Sequence, residues 1–126
     1  MPVPRKRVPR PGCPFCFEEL PRPEPLAGTY SLDEVLGGRC VECGAWFVVD
    51  ETGKSGGKAV MDLLVLLAGG DLQRALAYNR DADYQMKTVP WRATIRRFGG
   101  RATGQALMQP QAWVARLVGE AAGSRP

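Results

Sequence analysis

The most sustained helical pattern of apolar residues lies in the middle of the chain. The segment Lys58–Ala68 carries charge only at Lys58 and Asp62, so nearly every face of a helix built from it is apolar. Such helices are normally buried. Gly69-Gly70 is predicted to end this helix, and Asp71–Asn79 is predicted to form a second one with Asp71 as its N-cap. The pattern therefore predicts a helical hairpin that packs against the rest of the protein.

The segment before this hairpin is predicted to contain a short helix and then strand. Ser31-Leu32-Asp33-Glu34 fits a capping box, which predicts a helix that Gly37-Gly38 would end. Arg39–Asp50 follows, and its run of aromatic and β-branched residues from Trp46 to Val49 favours a strand.

Residues 88–98 fit two patterns. As a strand, apolar residues alternate with polar ones, the apolar set being Val89, Trp91, Ala93 and Ile95. As a helix, Pro90 suits the first helical position, and Trp91, Ile95 and Phe98 fall on one face before Gly99. We favour the helix.

A last helix is predicted from Pro110 to about Ala121. Pro110 again suits the first position, and an apolar stripe follows at Trp113, Leu117 and Val118.

Four cysteines and no histidine occur among the 126 residues. The cysteines form two C-x2-C pairs, Cys13/Cys16 and Cys40/Cys43, separated by 23 residues. One tight turn of this kind presents both sulfurs to one metal, and two turns complete a tetrahedral S₄ site whose usual occupant is Zn²⁺. The absence of histidine excludes Ser-His-Asp and Cys-His catalysis and His-ligated zinc fingers. We predict one structural Zn²⁺ bound by these four thiolates.

The second pair, in Cys40-Val41-Glu42-Cys43-Gly44, resembles the knuckle of the zinc-ribbon class, since Gly44 stands where the knuckle backbone needs a positive φ. The first pair differs, because Phe17 stands where many ribbons have glycine, and a looser turn is expected there. The resemblance covers residues 12–53 and implies two cysteine turns on short β-hairpins. An iron centre of the rubredoxin kind has the same ligand set, but that family usually has glycine after both pairs.

Four protein ligands leave no coordination position for water or substrate, so a structural metal is the favoured interpretation over Lewis-acid catalysis. Disulfides and thiol redox chemistry are weaker alternatives, since Glu18-Glu19 gives the first pair an acidic setting. Gly53-Lys54-Ser55 is not a phosphate loop, because Val48 replaces the required glycine. No catalytic residue and no small-molecule substrate are predicted, and nothing in the sequence argues for an enzyme.

Charge is unevenly distributed along the chain. The net charge of +4 combines +4 in residues 1–10, −6 in residues 11–86 and +6 in residues 87–126. This asymmetry indicates either contact with a polyanion or contact between the oppositely charged segments. The candidate nucleic-acid contacts are the basic residues of the two ends: Arg5, Lys6, Arg7, Arg92, Arg96, Arg97 and Arg101.

Two alternatives compete with that interpretation. In the first alternative, the hydrophobic core contains Trp91, Ile95 and Phe98, and the arginines form a solvated face or contact the acidic half of the chain. The helical hairpin could also be a DNA-reading helix-turn-helix, although its aspartates oppose phosphate approach.

We therefore expect an α+β protein in which an N-terminal Cys₄ zinc ribbon packs against a C-terminal helical portion. The expected divisions are a basic Pro-rich arm (1–11), the ribbon (12–53) and the mostly helical portion (54–126). The N-terminus lacks the apolar segment of a signal peptide, and a cytoplasmic location without membrane contact is expected. The expected function is a non-catalytic binding module for nucleic acid or, alternatively, a protein–protein adaptor or assembly subunit.

Overall fold

A computed structural model describes residues 12–53, 56–92, 97–98 and 110–123. Within these ranges the strands form one antiparallel sheet in the order β1-β2-β3-β6-β4-β5. The elements in chain order are β1 (Glu24–Pro25), β2 (Leu36–Arg39), β3 (Trp46–Asp50), α1 (Gly56–Leu67), α2 (Leu72–Ala77), β4 (Tyr84–Arg92), β5 (Arg97–Phe98), β6 (Gln111–Leu117) and α3 (Gly119–Gly123). The architecture is mixed α+β.

The central strands bury apolar side chains on both faces of the sheet. On one face Phe47 of β3 and Val114 of β6 pack in a cluster that includes Cys13 and Cys40, and we call this the cysteine face. On the opposite face, which we call the helix face, neighbouring residues of the same strands pack against Leu63 of α1. The sheet therefore separates the two cysteine turns from α1 and α2.

The predicted helical hairpin is confirmed. Helix α1 places its largest fully buried leucine, Leu63, against the helix face. The side chain of Asp71 accepts a hydrogen bond of 3.1 Å from the backbone N–H of Arg74, as expected of the N-cap of α2. Ala75 of α2 is buried in a cluster with Leu64 of α1.

The prediction of a helix that begins at Ser31 is wrong. Ser31 lies in a loop, and both its backbone N–H and its hydroxyl donate 2.7 Å hydrogen bonds to the carboxylate of Asp62 in α1. The two glycines that were expected to end the helix lie in β2. A Cβ on Gly37 would collide with the backbone oxygen of Phe47, and one on Gly38 would lie 2.9 Å from its ring. Their small size lets β2 lie close to β3.

The prediction of a helix over residues 88–98 is also wrong, because β4 continues to Arg92 and β5 contains Arg97 and Phe98. Trp91 and Phe98 do meet, but as paired residues of two antiparallel strands. Their rings pack edge-to-face with centroids 5.0 Å apart. A cross-strand pair thus replaces the predicted contact along one helix face. Ile95 lies outside the described residues.

The helix predicted from Pro110 to Ala121 is strand β6 over most of its length, and only the short α3 follows. All five residues of β3 pair with residues of β6 in the register Trp46↔Ala115 to Asp50↔Gln111. Strands from residues 12–53 and from residues 54–126 therefore share one sheet. The predicted arm, residues 1–11, lies outside the described residues. In the described part of the chain, no helix has the length and apolar character needed to cross a membrane.

Candidate metal centre

The second cysteine turn has the backbone geometry that its sequence predicts. The N–H of Cys40 donates to the carbonyl of Ala45 at 2.7 Å, and the N–H of Gly44 donates to the carbonyl of Cys40 at 2.9 Å. Gly44 has φ +78°, in the left-handed region that glycine adopts without steric cost. The turn is thereby closed around its two cysteines.

The first cysteine turn repeats this pattern residue for residue. The N–H of Cys13 donates to the carbonyl of Glu18 at 2.7 Å, and the N–H of Phe17 donates to the carbonyl of Cys13 at 2.8 Å. Phe17 has φ +65°, although it is not glycine. The looser turn expected here is not observed.

The two turns bring all four sulfur atoms together. The Sγ atoms of Cys13 and Cys43 lie 3.6 Å apart, and those of Cys16 and Cys40 lie 3.5 Å apart. All four lie within 4.8 Å of one another. A tetrahedral site with Zn–S bonds of about 2.3 Å requires sulfur separations of about 3.8 Å. The four cysteines, which are free thiols, are thus positioned to bind one metal ion.

Backbone amides point at the sulfur atoms in the same pattern in both turns. Cys13 accepts hydrogen bonds from the amides of Phe15 and Cys16, and Cys40 accepts them from the amides of Glu42 and Cys43. The second cysteine of each pair accepts a single amide hydrogen bond. Cys16 accepts it from the amide of Glu18, and Cys43 from the amide of Ala45. Donors of this kind stabilise thiolate, the form that binds metal.

Burial raises the pKa of all four thiols and so opposes the amide hydrogen bonds, while the neighbouring thiols raise the pKa in some cases and lower it in others. Burial raises the pKa of Cys13 and of Cys43 above the usual thiol value. For Cys16, the Glu18 amide lowers the pKa, but burial and the adjacent thiols outweigh it and the pKa is raised. For Cys40, burial raises the pKa, but the amides and the Cys16 thiol outweigh it and the pKa is lowered. Without metal, three of the four cysteines therefore favour the protonated thiol.

The site is part of the protein core. Cys13 and Cys40 are almost fully buried and belong to the cluster that contains Phe47 and Val114 of the cysteine face. Phe15, between the first two cysteines, packs against the same cluster. A metal ion bound here would join the two turns to each other and to the sheet.

Two cations of the sheet lie over the ring of Phe15. The guanidinium of Arg116 in β6 is 4.5 Å from the ring centroid, and the ammonium of Lys87 in β4 is 5.4 Å from it. Arg116 also donates to Oε1 of Gln85 through Nε and Nη2, at 3.1 Å and 2.9 Å. The sequence analysis missed these residues, because only the pairing of β4 with β6 brings them to the first turn.

The structure describes few of the predicted nucleic-acid contacts. Arg92 is exposed at the end of β4, and Arg97 is its backbone partner in β5. The others, Arg5, Lys6, Arg7, Arg96 and Arg101, lie outside the described residues. Of the seven residues, the described part of the chain brings together Arg92 and Arg97.

Comparison with known proteins adds no family to this picture. A scan against protein-family models found no match, and searches of curated proteins and of solved structures found no significant match. The resemblance to a zinc ribbon accordingly rests on the two cysteine turns alone.

Proposed function

We propose that the protein is a non-catalytic binding module whose four cysteines hold one structural Zn²⁺. The observation that carries the proposal is the convergence of four thiols from two equivalent turns within 4.8 Å. Cys13, Cys16, Cys40 and Cys43 would occupy all four positions of a tetrahedral ion, so none is left for a substrate. The four cysteines fit a metal ion that stabilises the fold.

The surroundings of the sulfurs also suit this role. A divalent ion bound by four thiolates carries a net charge of about −2. The amide hydrogen bonds to the sulfurs offset part of that charge. Metal binding would add folding free energy, because an unfolded chain does not hold the four ligands together.

Iron is the second candidate for the same ligand set. The sequence disfavours a rubredoxin-like centre because no glycine follows the first cysteine pair. Phe17 nevertheless adopts the left-handed conformation that a glycine would supply, so that argument loses its force. Zinc remains the proposal because it is the usual occupant of closed S₄ sites.

Nucleic acid is the proposed partner. The proposal is supported by the positive ends of the chain and by the exposure of Arg92. Arg5, Lys6, Arg7, Arg96, Arg97 and Arg101 complete the proposed contact set. A protein–protein adaptor is the alternative, in which the module would contact another polypeptide.

Two measurements test these statements separately. Metal analysis of protein purified without added metal should find one zinc per chain, and one iron with a red colour would replace zinc by the second candidate. Titration with generic DNA and RNA should show affinity that falls by about 10³-fold or more between 50 and 200 mM salt, if six or more phosphates are contacted. Absence of binding at low salt would reject the nucleic-acid partner and leave the metal proposal intact.

A further inference from the structure

Phe17 breaks two local rules although glycine could close the same turn. Its φ of +65° is one that side chains other than glycine rarely adopt, and its side chain is 84% exposed. The ring therefore contributes little to the core, while glycine would fit the same backbone better. Unfavourable backbone conformations that persist are concentrated at functional sites. An exposed ring held in this way is suited to contact with a partner.

Two cations of the sheet contact the same cysteine turn at Phe15. Phe17 is two residues from Phe15, which carries Lys87 and Arg116 over its ring. The contacts of Arg116 are with the neutral Gln85 and the aromatic ring, and Lys87 is exposed. Among the described residues, neither cation forms an ion pair with a carboxylate. Within that part of the chain no carboxylate neutralises the two charges, which suits contact with a negatively charged partner.

We propose that Phe17, Lys87 and Arg116 form a binding surface for single-stranded nucleic acid on the cysteine face. The exposed ring of Phe17 stacks on a base, and the two cations contact the phosphates that follow it on the Phe15 side of the turn. Aromatic stacking next to basic residues is the usual means by which proteins bind single strands with little sequence preference. The inference rests on the proposed nucleic-acid function and adds its substrate form and its contact residues.

An acidic neighbour limits where the strand can run. Glu18 is exposed and follows Phe17 directly, so phosphates are repelled from its side of the turn. The strand therefore passes over Phe17 toward Lys87 and Arg116. Glu18→Gln should consequently tighten binding, since it removes a repelling charge and keeps the length of the side chain.

The test uses the full-length metal-loaded protein and fluorescently labelled single strands of about 15 nucleotides, within the range that small domains occupy. Oligo-dT and oligo-U are compared with a duplex of equal length and with polyglutamate. Phe17→Ala should weaken binding to either single strand about 5- to 150-fold. Lys87→Gln should also weaken it and lower the slope of log affinity against log salt by about 1.

Matched controls are available elsewhere on the protein. Leu32→Ala removes another fully exposed apolar side chain, and Lys58→Gln removes a cation of α1 that pairs with Asp33. Neither should change affinity. Phe17→Gly separates binding from folding, because it should lose affinity as Phe17→Ala does while the protein becomes more stable. Zinc content and melting temperature are measured for every variant.

Each alternative outcome overturns the proposal in a recognisable way. If the wild type binds single strands but Phe17→Ala and Lys87→Gln behave like the controls, nucleic-acid binding stands and this surface is wrong. If polyglutamate or the duplex competes as well as the single strand, the partner is an acidic protein or double-stranded DNA. Loss of zinc from Lys87→Gln would show that the cations serve the metal centre. No binding by any form rejects both the surface and the nucleic-acid partner, while zinc content still tests the metal site.

Discussion

Phe17 and Gly44 occupy equivalent positions in the two cysteine turns. Each donates its backbone N–H to the carbonyl of the first cysteine of its pair, at 2.8 Å from Phe17 and 2.9 Å from Gly44. Their φ angles are +65° and +78°. The two turns are therefore alike in backbone although one has a phenylalanine where the other has a glycine.

Replacement of Phe17 by glycine should stabilise the metal-loaded protein. The left-handed conformation costs a side chain other than glycine about 1–2 kcal/mol, and glycine loses up to about 1 kcal/mol through the greater entropy of the unfolded chain. The ring is exposed, so little burial is lost. We expect a net gain of about 0.5–1 kcal/mol, measured by urea unfolding in excess zinc.

Gly44→Ala is the matched control, and its effect should have the opposite sign. The new Cβ would be strained at a φ of +78° and would lie 3.3 Å from Nη2 of Arg39. With the same two terms as for Phe17→Gly, a net loss of about 0.5–1 kcal/mol is expected, increased by any strain from the contact with Arg39. If Phe17→Gly destabilised the protein as much as Gly44→Ala, the two positions would not be equivalent.

The hydrogen bonds between Ser31 and Asp62 should contribute measurably to stability. Asp62 is 1% exposed, and both of its carboxylate oxygens accept from Ser31. Ser31→Ala leaves one oxygen without that partner, at an expected cost of about 1.5–3 kcal/mol for a hydrogen bond to a charged group. Thermal or urea unfolding measures the change.

Asp33→Asn provides the comparison for that substitution. Asp33 forms an ion pair with Lys58 at 3.0 Å, but its side chain is 84% exposed. An exposed pair contributes little, about 0–1 kcal/mol. Equal effects of Ser31→Ala and Asp33→Asn would contradict the importance of the buried contact.

Metal retention should depend on pH in the direction that the cysteine pKa values indicate. The pKa is raised for Cys13, Cys16 and Cys43 and lowered for Cys40. Protons therefore compete with the metal at three of the four thiols well into the alkaline range, and metal binding must displace them. The apparent zinc affinity should rise with pH below the thiol pKa values and fall as the solution is acidified.

Competition with a coloured zinc chelator between about pH 6 and pH 8 measures this dependence, because the raised pKa values of Cys13, Cys16 and Cys43 keep these thiols protonated in the metal-free protein there. The control is the same titration of Cys40→Ser, which should show no measurable zinc affinity at any pH. An affinity that does not change with pH would show that thiolates are not the ligands.

The metal site could be predicted from local sequence because a C-x2-C turn needs only a few consecutive residues. The same holds for α1 and α2, whose apolar pattern and N-cap are local signals. The first turn was misjudged at Phe17 because backbone conformation there is set by the whole turn. Sequence preference for glycine at that position is overridden by the hydrogen bond to Cys13.

The wrong helix predictions arise where contacts distant in sequence decide the local structure. β6 lies at the centre of the sheet, with Val114 buried on the cysteine face and Ala115 on the helix face. A strand that is buried on both faces shows no simple alternation and is easily mistaken for a helix. Ser31 was likewise expected to cap a helix of its own, but its partner Asp62 lies 31 residues further along the chain. Contacts of this range leave no local sequence signal.

The central claim is that the four cysteines bind one metal ion that holds the two turns against the sheet. Native mass spectrometry of protein purified under reducing conditions, before and after chelation, tests it most directly. We predict one zinc per chain in the wild type, its loss on chelation together with a large fall in melting temperature, and no bound zinc in Cys40→Ser. Wild-type protein that carries no metal and melts at the same temperature with and without chelator would contradict the claim.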